Sequence, residues 1–108
     1  MIGIIEYAKV NDDNFDRIVG SYKNLLILFT SQNCGYCQIA KKNLNQVIDS
    51  FPEILVYECS ISNSPKIVER YQVSSVPILK LFIEGKVVYT AFGIRDSSDL
   101  YYQIKSFL

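Results

Sequence analysis

The stretch that most restricts the fold of this chain is an uninterrupted apolar run, Leu25–Phe29, which leads within five residues to the paired cysteines Cys34 and Cys37. Half-exposed strands alternate apolar and polar residues, whereas a run without alternation is typical of a strand covered on both faces. From Cys37 onward, apolar residues recur every three or four positions until Pro52 ends the pattern. We therefore predict a central strand followed by an amphipathic helix over about 34–50, with Cys34 at its N-terminus.

The rest of the chain alternates strand and helix patterns with short turns between them. The other strand patterns cover 2–8, 54–61, 76–83 and 86–92, and the last two flank Glu84-Gly85, a hairpin signal. The other helix patterns follow the capping candidates Asn11–Asn14, Ser64 and Asp96. The order βαβαβαββα predicts an α/β fold, a mixed sheet of about five strands flanked by about four helices, in a single domain over 1–108.

Composition limits the classes of function. The 108 residues are 49% hydrophobic, which suits one buried core. The 11 basic and 11 acidic side chains cancel and never form a run of more than two like charges, so nucleic acid is not an expected partner. The apolar start is too short for a signal peptide or a membrane span, so we expect a cytoplasmic protein without membrane attachment. We also expect a monomer.

The three cysteines indicate a reactive pair and one spare thiol. With no histidine in the chain, they fall short of the four ligands of a structural zinc site, so we expect no metal. Cys34 lies where unpaired N–H groups and the helix dipole stabilise a thiolate, which makes it the expected nucleophile. Cys37 lies one turn deeper and would resolve the mixed disulfide by forming a Cys34–Cys37 bridge, so no cofactor is needed.

Four segments resemble the thioredoxin family at its usual spacing. They are Phe29–Cys37, Val73–Pro77, Leu81–Gly85 and Gly93, and the similarity covers nearly the whole chain. The resemblance implies the thioredoxin fold and a protein dithiol-disulfide oxidoreductase. It also implies disulfide-containing proteins as substrates and a thioredoxin reductase as electron donor.

The resemblance further implies roles for residues near the cysteines. Pro77 would be cis and face them, and the Val76 backbone would pair with an extended substrate. Gly93 would leave room for the backbone of a partner. Apart from the resemblance, we expect Gly35 and Tyr36 to contact substrate, because the site must lie exposed for any exchange. The alternatives are an ordinary proline at a strand start, a glycine that ends a strand and a tyrosine that tolerates exposure in a turn.

The chain departs from the family pattern in the dipeptide Gly35-Tyr36, where ordinary thioredoxins have Gly-Pro, and more sharply at three other positions. Asn33 stands where the family has an aromatic residue before the first cysteine. Leu28 stands where it has a buried aspartate, and Lys42 where it has a proline that kinks the helix. Because an acid is missing at Leu28, we expect Glu58 on the next strand to have a pKa raised by desolvation and to accept the proton of Cys37. The alternative is a solvated glutamate at a strand end.

Two further residues have competing interpretations. Lys80 interrupts an apolar strand and would either pair with Glu58 or extend along the sheet surface to water. Cys59 should point to the face opposite Glu58, as a small core residue or as a regulatory thiol.

Two other functions stay open at this stage. A glutathione-linked, glutaredoxin-like reductase is disfavoured because Gly93 is followed by Ile94 and Arg95 and not by a second glycine. A thioredoxin-like adaptor with little turnover stays open because of the departures at Asn33 and Leu28.

Overall fold

The computed structural model describes residues 6–108, which form a five-stranded sheet with four α-helices. The strand order is β1-β3-β2-β4-β5. The strands are β1 (Ala8–Lys9), β2 (Asn24–Thr30), β3 (Leu55–Ser60), β4 (Ile78–Ile83) and β5 (Lys86–Phe92).

The predicted central strand is β2. It pairs in parallel with β3 and antiparallel with β4, and every residue from Leu25 to Thr30 is buried. Along β2, Leu26 and Leu28 face one core, whereas Leu25 and Ile27 face the other. A strand buried on both faces needs apolar side chains at every position, which explains the run without alternation.

Helices cover both faces of the sheet. The helices are α1 (Phe15–Ser21), α2 (Gly35–Ile48), α3 (Pro65–Tyr71) and α4 (Ser97–Ser106), and a 3-10 turn at Ile61–Asn63 follows β3. On one face α2 and α4 contribute to what we call the α2–α4 core, and on the other α1 and α3 contribute to the α1–α3 core. The predicted α/β class, the mixed sheet and the number of elements are confirmed. None of the helices within 6–108 is both long and apolar enough to cross a membrane.

Two predicted strand boundaries shift. Of the strand predicted over 2–8, residues 2–5 lie outside the described part, Glu6 and Tyr7 are not in a strand, and β1 covers Ala8–Lys9. The strand predicted from Val76 begins at Ile78, after Pro77, which has no N–H to donate to a sheet.

The cap of α3 comes from a distant residue and not from Ser64. The Asp12 carboxylate accepts hydrogen bonds from the N–H groups of Lys66 and Ile67, both at 3.0 Å. The Ser64 side chain is fully buried, and its hydroxyl makes no capping bond. A carboxylate can replace the side-chain cap because it supplies two acceptors to the unpaired N–H groups of the first turn.

Candidate active site

The cysteine pair lies where β2 passes into α2. Cys34 is the N-cap of α2 with extended backbone angles, and the helix begins at Gly35. Cys34 and Cys37 form a disulfide with their Cα atoms 5.2 Å apart, and the Cys37 N–H donates to Cys34 Sγ at 3.1 Å. Cys34 is half-buried and Cys37 is fully buried. Cys34 is therefore the more accessible of the two cysteines, and its sulfur receives an N–H of the first turn, a position that favours a thiolate after reduction.

The loops that carry Pro77 and Gly93 lie at the same end of the sheet. The Val76–Pro77 peptide bond is cis, and Ile78, which follows it, pairs with Phe29 near the end of β2. Gly93 follows β5 and donates its N–H to the Pro77 carbonyl at 3.0 Å. Its φ of +72° favours glycine, and no heavy atom lies within 4 Å of where a Cβ would stand. The space in front of Gly93 is thus open.

Exposed aromatic side chains lie beside both parts of this region. Tyr36, between the two cysteines, is 68% exposed, and Phe92, next to Gly93, is 61% exposed. Phe92 was not predicted, because its place at the end of an apolar strand pattern indicates a core residue. Exposed aromatic residues are frequent at protein contact surfaces.

Glu58 lies inside the protein and holds a cluster of polar groups. It pairs in register with Leu28, and its side chain is 8% exposed. Its Oε1 atom accepts a hydrogen bond from Lys9 Nζ and forms an ion pair with Lys41 Nζ, each at 2.8 Å, and its Oε2 atom accepts a hydrogen bond from Thr30 Oγ1 at 2.6 Å. A cleft of about 380 Å³ between the ends of β1, β2 and β3 reaches Glu58, Lys9 and Thr30.

The prediction of a raised pKa for Glu58 was wrong. Burial does push the pKa of this carboxyl upward, but the hydrogen bonds from Lys41, Lys9 and Thr30 outweigh burial, so its pKa lies below the ordinary value. The sequence shows that Glu58 is on a buried strand. It does not show that two ammonium groups converge on it.

Lys41, Lys9 and Thr30 were missed as members of the site. Lys41 had a visible signal, because it follows Cys37 by four residues and precedes Leu44 by three, which places it on the inward face of α2. A lysine on an inward face needs a buried counter-charge. Lys9 and Thr30 had no comparable signal, because their contact with Glu58 depends on how the strands pair.

Lys80 and Cys59 do not take part in this cluster. Lys80 lies between Ile78 and Phe82, which both face the α1–α3 core, so it is on the opposite face from Glu58. Its Nζ atom donates to Thr90 Oγ1 at 3.2 Å, and burial lowers its pKa. Cys59 is a free, fully buried thiol of the α1–α3 core, and burial raises its pKa.

Comparisons with known proteins agree with this geometry. The thioredoxin family model matches residues 6–106. Thioredoxin-like protein YusE of Bacillus subtilis is 38% identical over 81 residues, which are 75% of this chain and 76% of that protein. Thioredoxin of Chlamydia trachomatis is 33% identical over 91 residues, covering 84% of this chain and 88% of that protein.

Solved structures show the same fold. Mitochondrial thioredoxin 3 of Saccharomyces cerevisiae, in its oxidised form, superimposes with a TM-score of 0.82 at 24% identity, covering 93% of this chain and 94% of that one. At 24% identity this similarity is evidence for the fold alone. Together with the family model and the relatives above, it shows that the chain belongs to the thioredoxin family.

Proposed function

We propose that this protein exchanges disulfides in partner proteins, with Cys34 as nucleophile and Cys37 as resolving thiol. The family and the cysteine pair support a thiol-disulfide oxidoreductase. The observation on which the assignment of roles depends is the unequal burial of the two bridged cysteines at the start of α2: Cys34 is partly open to solvent and Cys37 is closed off. An attacking sulfur must be reachable by substrate, whereas a resolving sulfur only has to reach its neighbour.

The reaction proceeds in two exchanges. The Cys34 thiolate attacks one sulfur of the substrate disulfide, the substrate S–S bond breaks, and its other sulfur leaves as a thiolate that takes a proton. The Cys37 thiol then loses its proton and attacks Cys34 Sγ, which breaks the mixed disulfide and releases the second substrate thiol. Two electrons pass from the cysteine pair to the substrate, and an external dithiol donor reduces the bridge again.

For substrate contact we propose the surface around the cysteines. The Val76 backbone would pair with an extended substrate segment beside cis Pro77, and Gly35 and Gly93 would leave room for its main chain. Tyr36 would provide an aromatic surface.

A matched pair of tyrosines tests the Tyr36 contact. Tyr36→Ala should raise the KM for a protein disulfide severalfold, whereas Tyr102→Ala on α4 should leave it unchanged. The two side chains are 68% and 66% exposed. Equal effects of the two substitutions would exclude a substrate contact at Tyr36.

Glu58 is our candidate for the proton acceptor of Cys37. It faces α2, and its lowered pKa keeps it ionised at neutral pH. The lowered pKa also makes it a weaker base than a glutamate at the ordinary value, so the thiol itself must be acidic for the transfer to be fast. Glu58→Gln should slow resolution of the mixed disulfide, and an unchanged pH-rate profile would exclude this role.

For the cellular setting we propose a cytoplasmic monomer that receives electrons from a thioredoxin reductase. The family relationship supports the donor, and three cysteines without a disulfide framework suit a reducing compartment.

Insulin reduction with three electron donors tests the function. The donors are dithiothreitol, thioredoxin reductase with NADPH, and glutathione, and we expect turnover with the first two. Cys34→Ser should abolish turnover, whereas Cys59→Ala should retain it because Cys59 is buried away from the site. Turnover with glutathione alone would favour the glutaredoxin-like function, and none with any donor would favour an adaptor.

A further inference from the structure

The most unusual charge in the described part of the chain is Lys41, a lysine on the inward face of α2. Its side chain is 9% exposed, and its neighbours on that face are buried: Cys37, Ala40, Leu44 and Val47. Lysine is almost never fully buried unless it is paired. Here the Glu58 carboxylate holds the ammonium, at 2.8 Å from Oε1.

Lys41 and Cys37 share one face of one helix. They are four residues apart, a spacing that brings Cβ atoms to about 5–6 Å in an α-helix. Cys37 is fully buried, and little water lies between groups on this face to screen a charge. A positive charge carried on the same buried face as a thiol favours the thiolate over the neutral thiol.

The charges that face this position do not cancel. Glu58 contributes one negative charge, and Lys41 and Lys9 contribute two positive ones. The Lys9 side chain is 61% exposed, so water screens it more than Lys41. Thr30 is uncharged, and burial together with the charges of Glu58 and Asp49 raises the pKa of Tyr7 to about 12, so its phenol is neutral at physiological pH.

We propose that the Lys41 ammonium, held in the interior by Glu58, stabilises the thiolate of Cys37 and thereby speeds resolution of the mixed disulfide. This deepens the proposed function and rests on it. Lys41 is a charge-positioning residue in this scheme: it forms and breaks no bond. The proton leaves Cys37 for Glu58 or water, the S–S bond between Cys37 and Cys34 forms, and the bond from Cys34 to substrate breaks with its electron pair on the substrate sulfur.

The direct test measures the pKa of the Cys37 thiol by thiolate absorbance near 240 nm. A Cys34→Ser, Cys59→Ala background leaves Cys37 as the thiol observed. Lys41→Met should raise its pKa by about one unit, which means about tenfold less thiolate at neutral pH. Lys41→Arg should keep the pKa close to that of the background, because it keeps the charge.

Lys42→Met is the matched control, because Lys42 is the exposed neighbour on the same helix. If the pKa of Cys37 is the same in Lys41→Met and Lys42→Met, the inference is overturned and the role of Lys41 is structural. If Lys41→Met does not fold, Lys41→Gln retains a hydrogen-bond donor for Glu58 without the charge. Lys41→Gln should also raise the pKa of Cys37, and an unchanged pKa would overturn the inference.

The two proposals fail in different ways. The pKa of Cys37 is measured without substrate, so a shift in Lys41→Met combined with no insulin reduction by the unmodified protein would overturn the oxidoreductase function alone. Normal insulin reduction combined with an unshifted pKa would overturn the role of Lys41 alone.

Discussion

Replacing Glu58 by glutamine should destabilise the fold strongly, because it leaves the buried Lys41 ammonium without a counter-charge. The Lys9 side chain is 61% exposed and returns to water at little cost, whereas that of Lys41 is 9% exposed. Removing one partner of a buried ion pair costs about 3–5 kcal/mol. A domain of this size is stable by only about 5–15 kcal/mol, so this is a large share of the total.

Urea unfolding of the oxidised protein at pH 7 measures this loss. With a slope of about 1–3 kcal/mol per molar urea, the midpoint should fall by at least about 1 M. Glu53→Gln is the control, because Glu53 is an exposed glutamate, and its midpoint should hardly move. Lys41→Met should also destabilise the protein. The double variant with Glu58→Gln should lose much less free energy of unfolding than the sum of the two single losses, because no buried charge is then left without its partner.

Two results would refute this reasoning. One is a loss in Glu58→Gln no larger than that in Glu53→Gln, which would mean that Lys41 finds water or another partner. The other is additivity of the Glu58 and Lys41 losses within about 0.5 kcal/mol, which would mean that the two charges do not interact.

Three further outcomes follow from the structure. Because the folded-state pKa of Glu58 is lowered, its stabilising contribution is present above the unfolded value of about 4.3 and is lost as the pH falls through the folded value. The difference in urea midpoint between the unmodified protein and Glu58→Gln should therefore shrink from pH 7 to pH 3, and a constant difference would contradict the assignment. In the reduced protein at pH 8, iodoacetamide should label Cys34 quickly and the buried Cys59 only after urea is added, whereas equal native rates would show that Cys59 is accessible. Asp12→Ala should cost about 1 kcal/mol by removing the cap of α3, and Asp13→Ala, whose side chain makes no such bond, should cost less; equal losses would show that the cap does not stabilise α3.

Much of the fold could be predicted because its signals are local. The apolar run Leu25–Phe29 and the three-to-four residue spacing after Cys37 identify a covered strand and an amphipathic helix by periodicity alone. The hairpin at Glu84-Gly85 was predictable for the same reason, and both residues adopt the left-handed φ that such a turn requires. The start of α3 after Ser64 was also predictable, but its side-chain cap was not, because the capping carboxylate of Asp12 comes from elsewhere in the chain.

The amino-acid sequence by itself determined the order of the elements and placed Cys34 and Cys37 on the first turn of a helix, because residues three apart in a helix share a face whatever the rest of the fold does. Only the tertiary structure decided the state of Glu58. Its donors Lys9, Thr30 and Lys41 come from β1, β2 and α2, and Lys9 is 49 residues away along the chain. Burial alone would raise the pKa of a carboxyl group, and the packing of these three elements reverses the sign by bringing two ammonium groups and a hydroxyl to the same two oxygens.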